Sequence, residues 1–274
     1  MLEVIYAGNR KVTKMIFLSA LSLAYRSGGP ITIHLLSMDL SAINPAYEAI
    51  TREDADEMEG RLRKINPEIT VKLYDLTEKY LSQTKYSDKD VHRSYTPYCL
   101  LRLFITDIDA IGDKAIYLDI DTMIYKDIRL LFDIDVEEYE IAGVKDAMGK
   151  YWINPKYMNS GVMLINVKKI RETRAFEKAL KYTLSHRAIL IDQNAINHYC
   201  KKKKYLPSRF NNQRKMTEDT VIKHFCKVLK FFPYMHCVNI KQTDRERVWN
   251  KLKIHEFDDI YRLYDTLIED KITN

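Results

Sequence analysis

Apolar residues fall along this chain in short runs of differing period, and those periods assign its elements. Leu2 to Ala7 is a compact apolar run of strand length, the pattern of a buried strand. Gly8-Asn9-Arg10 breaks it, and Thr13 to Arg26 has helical composition until Gly28-Gly29-Pro30 stops it. Ile31 to Ser37 reads as a second strand. Strand, helix and strand in succession predict a parallel crossover unit, nearly always right-handed. The expected fold class is α/β.

Pro45 to Ile65 is rich in Glu, Ala, Met and Arg, with Ile50, Met58, Leu62 and Ile65 spaced along one helical face. Ile69 to Leu76 alternates as a strand. Pro97 opens a helix carrying Tyr98, Leu100, Leu101, Leu103 and Phe104. It leads into Lys114 to Asp121, expected as a central strand ending in Asp119-Ile120-Asp121. Further strands are expected at Ile141 to Lys145, Gly161 to Val167 and Val221 to Cys226, and helices around Arg174 to Leu184 and Asp192 to Cys200. Residues 1–241 thus read as one large domain and 242–274 as a charged helical tail. Ligands of open α/β sheets sit beyond the carboxyl ends of strands. Gly8-Asn9 and the two acids both fall there, which predicts a shared cleft.

Composition narrows the class. With 274 residues, 46% of them hydrophobic, and only 8 Gly and 7 Pro, the chain can bury roughly 70 to 75% of its unfolded surface without staples. Cys99, Cys200, Cys226 and Cys237 show no paired spacing, so neither a disulfide framework nor a zinc ribbon is indicated and a reducing cytoplasm is expected. The balance of 44 basic against 38 acidic residues suits an anionic ligand or an acidic membrane surface but demands neither. No base-reading module for nucleic acid is recognisable. Lys201 to Lys204 reads as a solvated helix end. The apolar stretch from Met15 to Leu23 is too short to span a bilayer, so any membrane contact is expected to be peripheral, at the inner face. Trp249, Leu252 and Ile254 among the basic residues of the tail suit either such a surface or packing on the chain's own domain.

The acids carry the first chemistry. In an extended backbone alternate side chains share a face, so Asp119 and Asp121 are expected to point the same way and to reach one ion. Acids at strand ends also cap helices, so other residues must decide.

Several segments do so together: Val4-Ile5-Tyr6-Ala7, Ser94 to Leu103 with Arg102, Lys114 to Asp127, Asn159-Ser160-Gly161-Val162-Met163-Leu164-Ile165-Asn166, Asp192-Gln193-Asn194, Ser208 to Asn211, and His224-Phe225-Cys226 with Lys230. In order and content they resemble glycosyltransferase family 8, which includes bacterial lipopolysaccharide galactosyltransferases and glycogenin. The resemblance implies a single-domain GT-A-type α/β fold with a mostly parallel sheet. It implies a UDP-sugar donor, Mn2+ or Mg2+, and transfer of a hexose with retention onto a glycan or glycolipid acceptor.

It also implies roles. Asp119, Asp121 and His224 match the metal ligands. Ala7, Asn9, Ile120, Arg102 and Lys230 match positions that hold the nucleotide and its diphosphate, and Asp146 and Asn159 match positions around the sugar. Asp192 and Gln193, the candidate catalytic residues, also match positions around the sugar, Gln193 next to the reacting carbon, and His92 lies where the family meets the acceptor or closes the cleft. Taken alone, His224 alternates with Ile222 and Cys226 and reads as a core histidine, and Asp192 reads equally as a helix N-cap. Three features depart from the family. Asn9 stands where an aspartate usually accepts a hydrogen bond from uracil, Lys227 where glycine is common, and Arg10-Lys11 make the expected nucleotide pocket more basic. A weak sugar-nucleotide binder and a self-glucosylating, glycogenin-like enzyme therefore stay open beside a transferase acting on cell-surface polysaccharide.

Overall fold

The computed structural model describes residues 1–83, 96–185, 191–230 and 236–269. A seven-stranded sheet forms its centre, with β1 (Leu2–Ala7), β2 (Ile31–Ser37), β3 (Ile69–Asp75), β4 (Lys114–Leu118), β6 (Ile141–Lys145), β7 (Met158–Asn166) and β8 (Lys203–Tyr205) in the order β3-β2-β1-β4-β7-β6-β8. The first four strands in that order are mutually parallel, and β7 runs antiparallel to both β4 and β6. Two short antiparallel pairs stand apart: β5 (Thr122–Ile124) with β9 (Ile222–His224), and β10 (Val228–Lys230) with β11 (His236–Val238).

Both faces of the sheet are covered, which explains the near-continuous apolar runs of its strands. Val4 and Tyr6 of β1, with Ile116 and Leu118 of β4, enter one core. Ile5, Ala7, Ala115 and Tyr117 enter the other. The first core lies under the helices Thr13–Arg26 and Arg52–Arg63, and the second under the 3-10 segment Pro97–Asp107 and the helices Val167–Thr173, Ala175–Ser185 and Ile191–Tyr199.

The residues after Gln242 also join the first core. Phe257 and Ile260 are fully buried there and Ile254 nearly so. Trp249 donates from Nε1 to Asp258 at 2.8 Å, and Phe17 meets Tyr264 with ring centroids 5.7 Å apart. The tail's apolar residues pack on the chain itself.

Several expected elements shift, the helix expected from Pro97 being the 3-10 segment Pro97–Asp107. The helix expected from Pro45 starts at Arg52, because Thr51 caps it and exchanges hydrogen bonds with Asp54 in a capping box. Lys203 and Lys204 do not end a helix: they pair with β6, and Lys203 Nζ reaches back to the carbonyls of Asn197 (2.6 Å) and Cys200 (2.9 Å) at the end of helix Ile191–Tyr199. Arg174, at φ 56°, separates the helices on either side of it, so Val167–Thr173 is a distinct element. Among the described residues no helix is long and apolar enough to cross a membrane.

Candidate metal and sugar-nucleotide site

β4 ends at Leu118, so strand pleating does not align the two acids. Thr122 donates to the Asp119 carbonyl from both N (3.2 Å) and Oγ1 (2.8 Å), closing a tight turn. The Asp119 N–H bonds the Gly161 carbonyl at 2.6 Å, and the Phe225 N–H bonds the Asp121 carbonyl at 2.8 Å. β7 therefore fixes one end of the turn, and the segment after β9 fixes the other. The carboxylates converge because the chain bends.

His224 closes the group. Its Nε2 lies 3.1 Å from Asp121 Oδ1 and 3.8 Å from Asp119 Oδ2. The pairing Thr122↔His224 between β5 and β9 brings it there. The ring's tautomer follows from its neighbours. Asp146, an acceptor only, takes Asn159 Nδ2 at 2.8 Å; Asn159 Oδ1 takes Asn211 Nδ2 at 2.8 Å; Asn211 Oδ1 then faces His224 Nδ1 at 3.0 Å. Each amide is thereby oriented, so Nδ1 is the donor and Nε2 is the ring atom turned toward the two carboxylates.

Two carboxylates and an imidazole form a hard-to-borderline donor set suited to Mn2+ or Mg2+. One ligand atom from each of the three residues can be chosen with all within 4.8 Å of one another. Neighbouring ligands of an octahedral ion at about 2.1 Å stand roughly 3 Å apart, and His224 Nε2 and Asp121 Oδ1 already stand 3.1 Å apart. Gly161 keeps the space open: a Cβ there would lie 2.3 Å from His224 Cε1 and 2.6 Å from Asp119 Oδ2.

Arg102 joins this group to the expected sugar site. From a buried position it donates to Asp119 Oδ1 (2.8 Å) and the Ser160 carbonyl (2.8 Å), with Asp192 Oδ2 at 3.4 Å and the Tyr117 ring at 4.4 Å. Burial works against its charge, but Asp119, Tyr117 and Asp192 more than offset this and raise its pKa. Burial pushes Asp192 upward against the pull of Arg102. Burial also acts to raise Asp121, but His224 and Lys241 beside it hold it well below the usual carboxylate range.

Gln193 is engaged at both ends of its amide. Oε1 accepts from Ser160 N at 2.9 Å, and Nε2 donates to Asp146 Oδ2 at 3.3 Å. Asp146, Asn159, Asp192 and Gln193 lie around one corner of this group, joined through Ser160 and Arg102. Asp192 lies in the first turn of its helix.

Ala7 is buried at the end of β1, and Asn9 follows it with Nδ2 donating to the Ala46 carbonyl at 3.0 Å. Ile120 turns its carbonyl to Gln242 Nε2 at 2.6 Å. Arg10 faces Asp54 at 3.2 Å and Glu48 at 3.7 Å, so its charge is matched by acids near the helix Arg52–Arg63. Lys230 ends β10 opposite His236, and Lys227 precedes that strand. His92 lies outside the described residues.

Two participants had no individual role in the sequence reading. Asn211 belongs to a buried run, Asn211-Asn212-Gln213, and amides clustered where apolar residues are expected are a signal of a polar network. Lys241, which donates to Asp121 Oδ2, carries no such signal.

Comparison with known proteins bears on the family and the fold. The model of glycosyl transferase family 8 matches residues 33–234. Glycosyltransferase GlyD of Streptococcus pneumoniae is 28% identical over 181 residues, 66% of this chain and 19% of that protein. Glycogenin of Komagataella phaffii is 31% identical over 111 residues, 35% of this chain and 26% of that protein. The chain thus spans about a quarter or less of the length of these two relatives. The solved structure of galactosyltransferase LgtC, in complex with donor and acceptor sugar analogues, superposes with a TM-score of 0.69 at 18% identity, covering 97% of this chain and 96% of that one. A family match over most of the chain, on a GT-A fold with the acids, histidine and Asn-x-Gly segment assembled at one place, makes this chain a member of glycosyltransferase family 8.

Proposed function

We propose that the chain is a retaining hexosyltransferase that moves galactose or glucose from a UDP-sugar to a glycan or glycolipid acceptor, assisted by Mn2+ or Mg2+. The observation that carries this reading is the directed hydrogen-bond chain from Asp146 through Asn159 and Asn211 to His224, which turns the ring's Nε2 to the two carboxylates. A divalent cation held there would neutralise the departing diphosphate.

The side chains divide the remaining work. Arg102 holds Asp119 Oδ1 and leaves Oδ2 toward His224. Lys230 supplies positive charge for the diphosphate. Gln193, committed at both ends of its amide, positions the sugar and does not attack it, and an amide is in any case a poor nucleophile. The reaction is therefore a same-face displacement. The bond from the anomeric carbon to the diphosphate oxygen breaks, the acceptor oxygen bonds that carbon from the same side, and the acceptor's proton passes to the departing phosphate oxygen. A glycosyl-enzyme trapped on Asp192 or Gln193 would rule this version out.

Asn9 bears on the base. Its Nδ2 is committed to Ala46, so its Oδ1 is the end that accepts from uracil N3–H, without the charge assistance of a carboxylate. Competition among UDP, CDP and GDP is expected to favour UDP, and the absence of any preference would refute that role. The activity test is a panel of UDP-sugars with Mn2+, following UDP release with and without glycan acceptors. Asp121→Ala is expected to abolish turnover and metal dependence. UDP binding with no release from any donor would favour the binding-protein reading, and hexoses added to the chain itself would favour self-glucosylation.

A further inference from the structure

Lys241 reaches Asp121 from a fixed backbone. Its Nζ donates to Asp121 Oδ2 and, at 3.0 Å, to the Phe225 carbonyl. Ile240 before it is buried in the core, and Gln242 after it is fully buried and donates to the Ile120 carbonyl at 2.6 Å. Ile120 lies between the two acids. The Lys241-Gln242 pair therefore grips the acid turn twice, by its backbone and by its second carboxylate. An ammonium delivered this way is a built part of the site.

Its charge changes what the acids offer a metal. Asp119 is paired with Arg102 and Asp121 with Lys241, so each carboxylate already has its own side-chain cation. A divalent ion drawing on Asp121 must share that carboxylate with a like charge a few ångströms away, and such repulsion is strong where water is scarce. The Lys241 side chain is 29% exposed, so the ammonium can leave Asp121 for water without becoming an unpaired buried charge. Arg102, with a side chain 6% exposed, has no such exit.

We propose that Lys241 is a resident cation that competes with the divalent ion for Asp121, weakening metal binding and holding the acid turn together until the metal displaces it. This rests on the metal-site reading above. The test is Mn2+ binding to the full chain without nucleotide, read from the electron paramagnetic resonance signal of the free ion. Lys241→Met keeps the length and removes the charge, and is expected to bind Mn2+ about tenfold tighter or more. Lys241→Gln repeats the test with a polar neutral group, and Lys241→Arg is expected to stay near the native affinity. In chelator, Lys241→Met is expected to melt below the native protein, with the gap closing in saturating Mn2+.

Asp121→Asn separates the two readings. If it loses Mn2+ binding while both neutral Lys241 variants bind no more tightly than native, the lysine's role is overturned and the metal site stands. If it binds Mn2+ as the native protein does, the metal site itself is overturned, and this proposal with it.

Discussion

Gly161→Ala tests the packing of the site with a single methyl group. The added Cβ would lie 2.3 Å from His224 Cε1, 2.6 Å from Asp119 Oδ2 and 3.1 Å from Asn159 Oδ1. Carbon atoms in contact stand about 3.5 Å apart or more, so the imidazole carbon is too close by about 1.2 Å. None of the three neighbours is free to retreat. His224 is buried and tied to Asn211, Asp119 is held through its backbone to Gly161 and through Oδ1 to Arg102, and Asn159 bonds Asp146 and Asn211. Overpacking of this kind typically costs about 1–3 kcal/mol. A displacement near 1 Å at the reacting centre can cost about a hundredfold in turnover. Urea unfolding with and without Mn2+, together with UDP-release rates, reads both effects. Gly60 supplies the control. It sits in the helix Arg52–Arg63, where an added Cβ meets nothing within 4 Å, so Gly60→Ala should stabilise by about 0.5–1 kcal/mol. Native stability and native Mn2+ affinity in Gly161→Ala would refute the account of the site's packing.

Three further outcomes are expected. Asn211→Leu removes the acceptor that orients His224 Nδ1 and should lower Mn2+ affinity about 10- to 100-fold; an unchanged Mn2+ titration would show that the hydrogen-bond chain does not set the tautomer. Lys223 is buried, which pulls its pKa down from 10.5 to about 8. The folded value lies below the unfolded one, so the cost of burying the charge is fully present below about pH 8 and fades as pH rises toward 10.5, a swing of about 3 kcal/mol. Lys223→Met lacks this swing, so its stability relative to native should decline across that window; a constant difference in urea unfolding at each pH would exclude the effect. Phe257→Ala empties a fully buried ring position in the first core and should cost about 3–5 kcal/mol in one cooperative transition. A separate early transition for the tail would contradict its integration there.

Much of the sheet was legible because its strands are buried on both faces. Leu2–Ala7, Ile31–Ser37 and Ile141–Lys145 read directly as runs bounded by turn residues. The helix expected from Pro45 was overextended because Ile50, Met58 and Leu62 share a helical spacing, yet Ile50 is buried just before the cap. Periodicity records which residues are buried and does not record where the backbone turns. Lys203 and Lys204 misled for the opposite reason: their charges suggested a helix end, while their backbones complete the sheet's edge.

The inventory of the candidate site is written in residue type and order: two acids separated by one residue, an Asn-x-Gly string, Asp192-Gln193 and a distant histidine, in an order that resembles glycosyltransferase family 8. Residue type and order are local facts, and a single chain displays them. How these residues meet depends on the folded chain. The acids converge through a turn held by Gly161 and Phe225, His224 arrives through β9, Asn211 fixes its tautomer, and Lys241 stands on Asp121 from 120 residues away in the chain. Those contacts join segments far apart in sequence, and their geometry depends on backbone directions and buried hydrogen bonds that exist only once the chain has closed on itself.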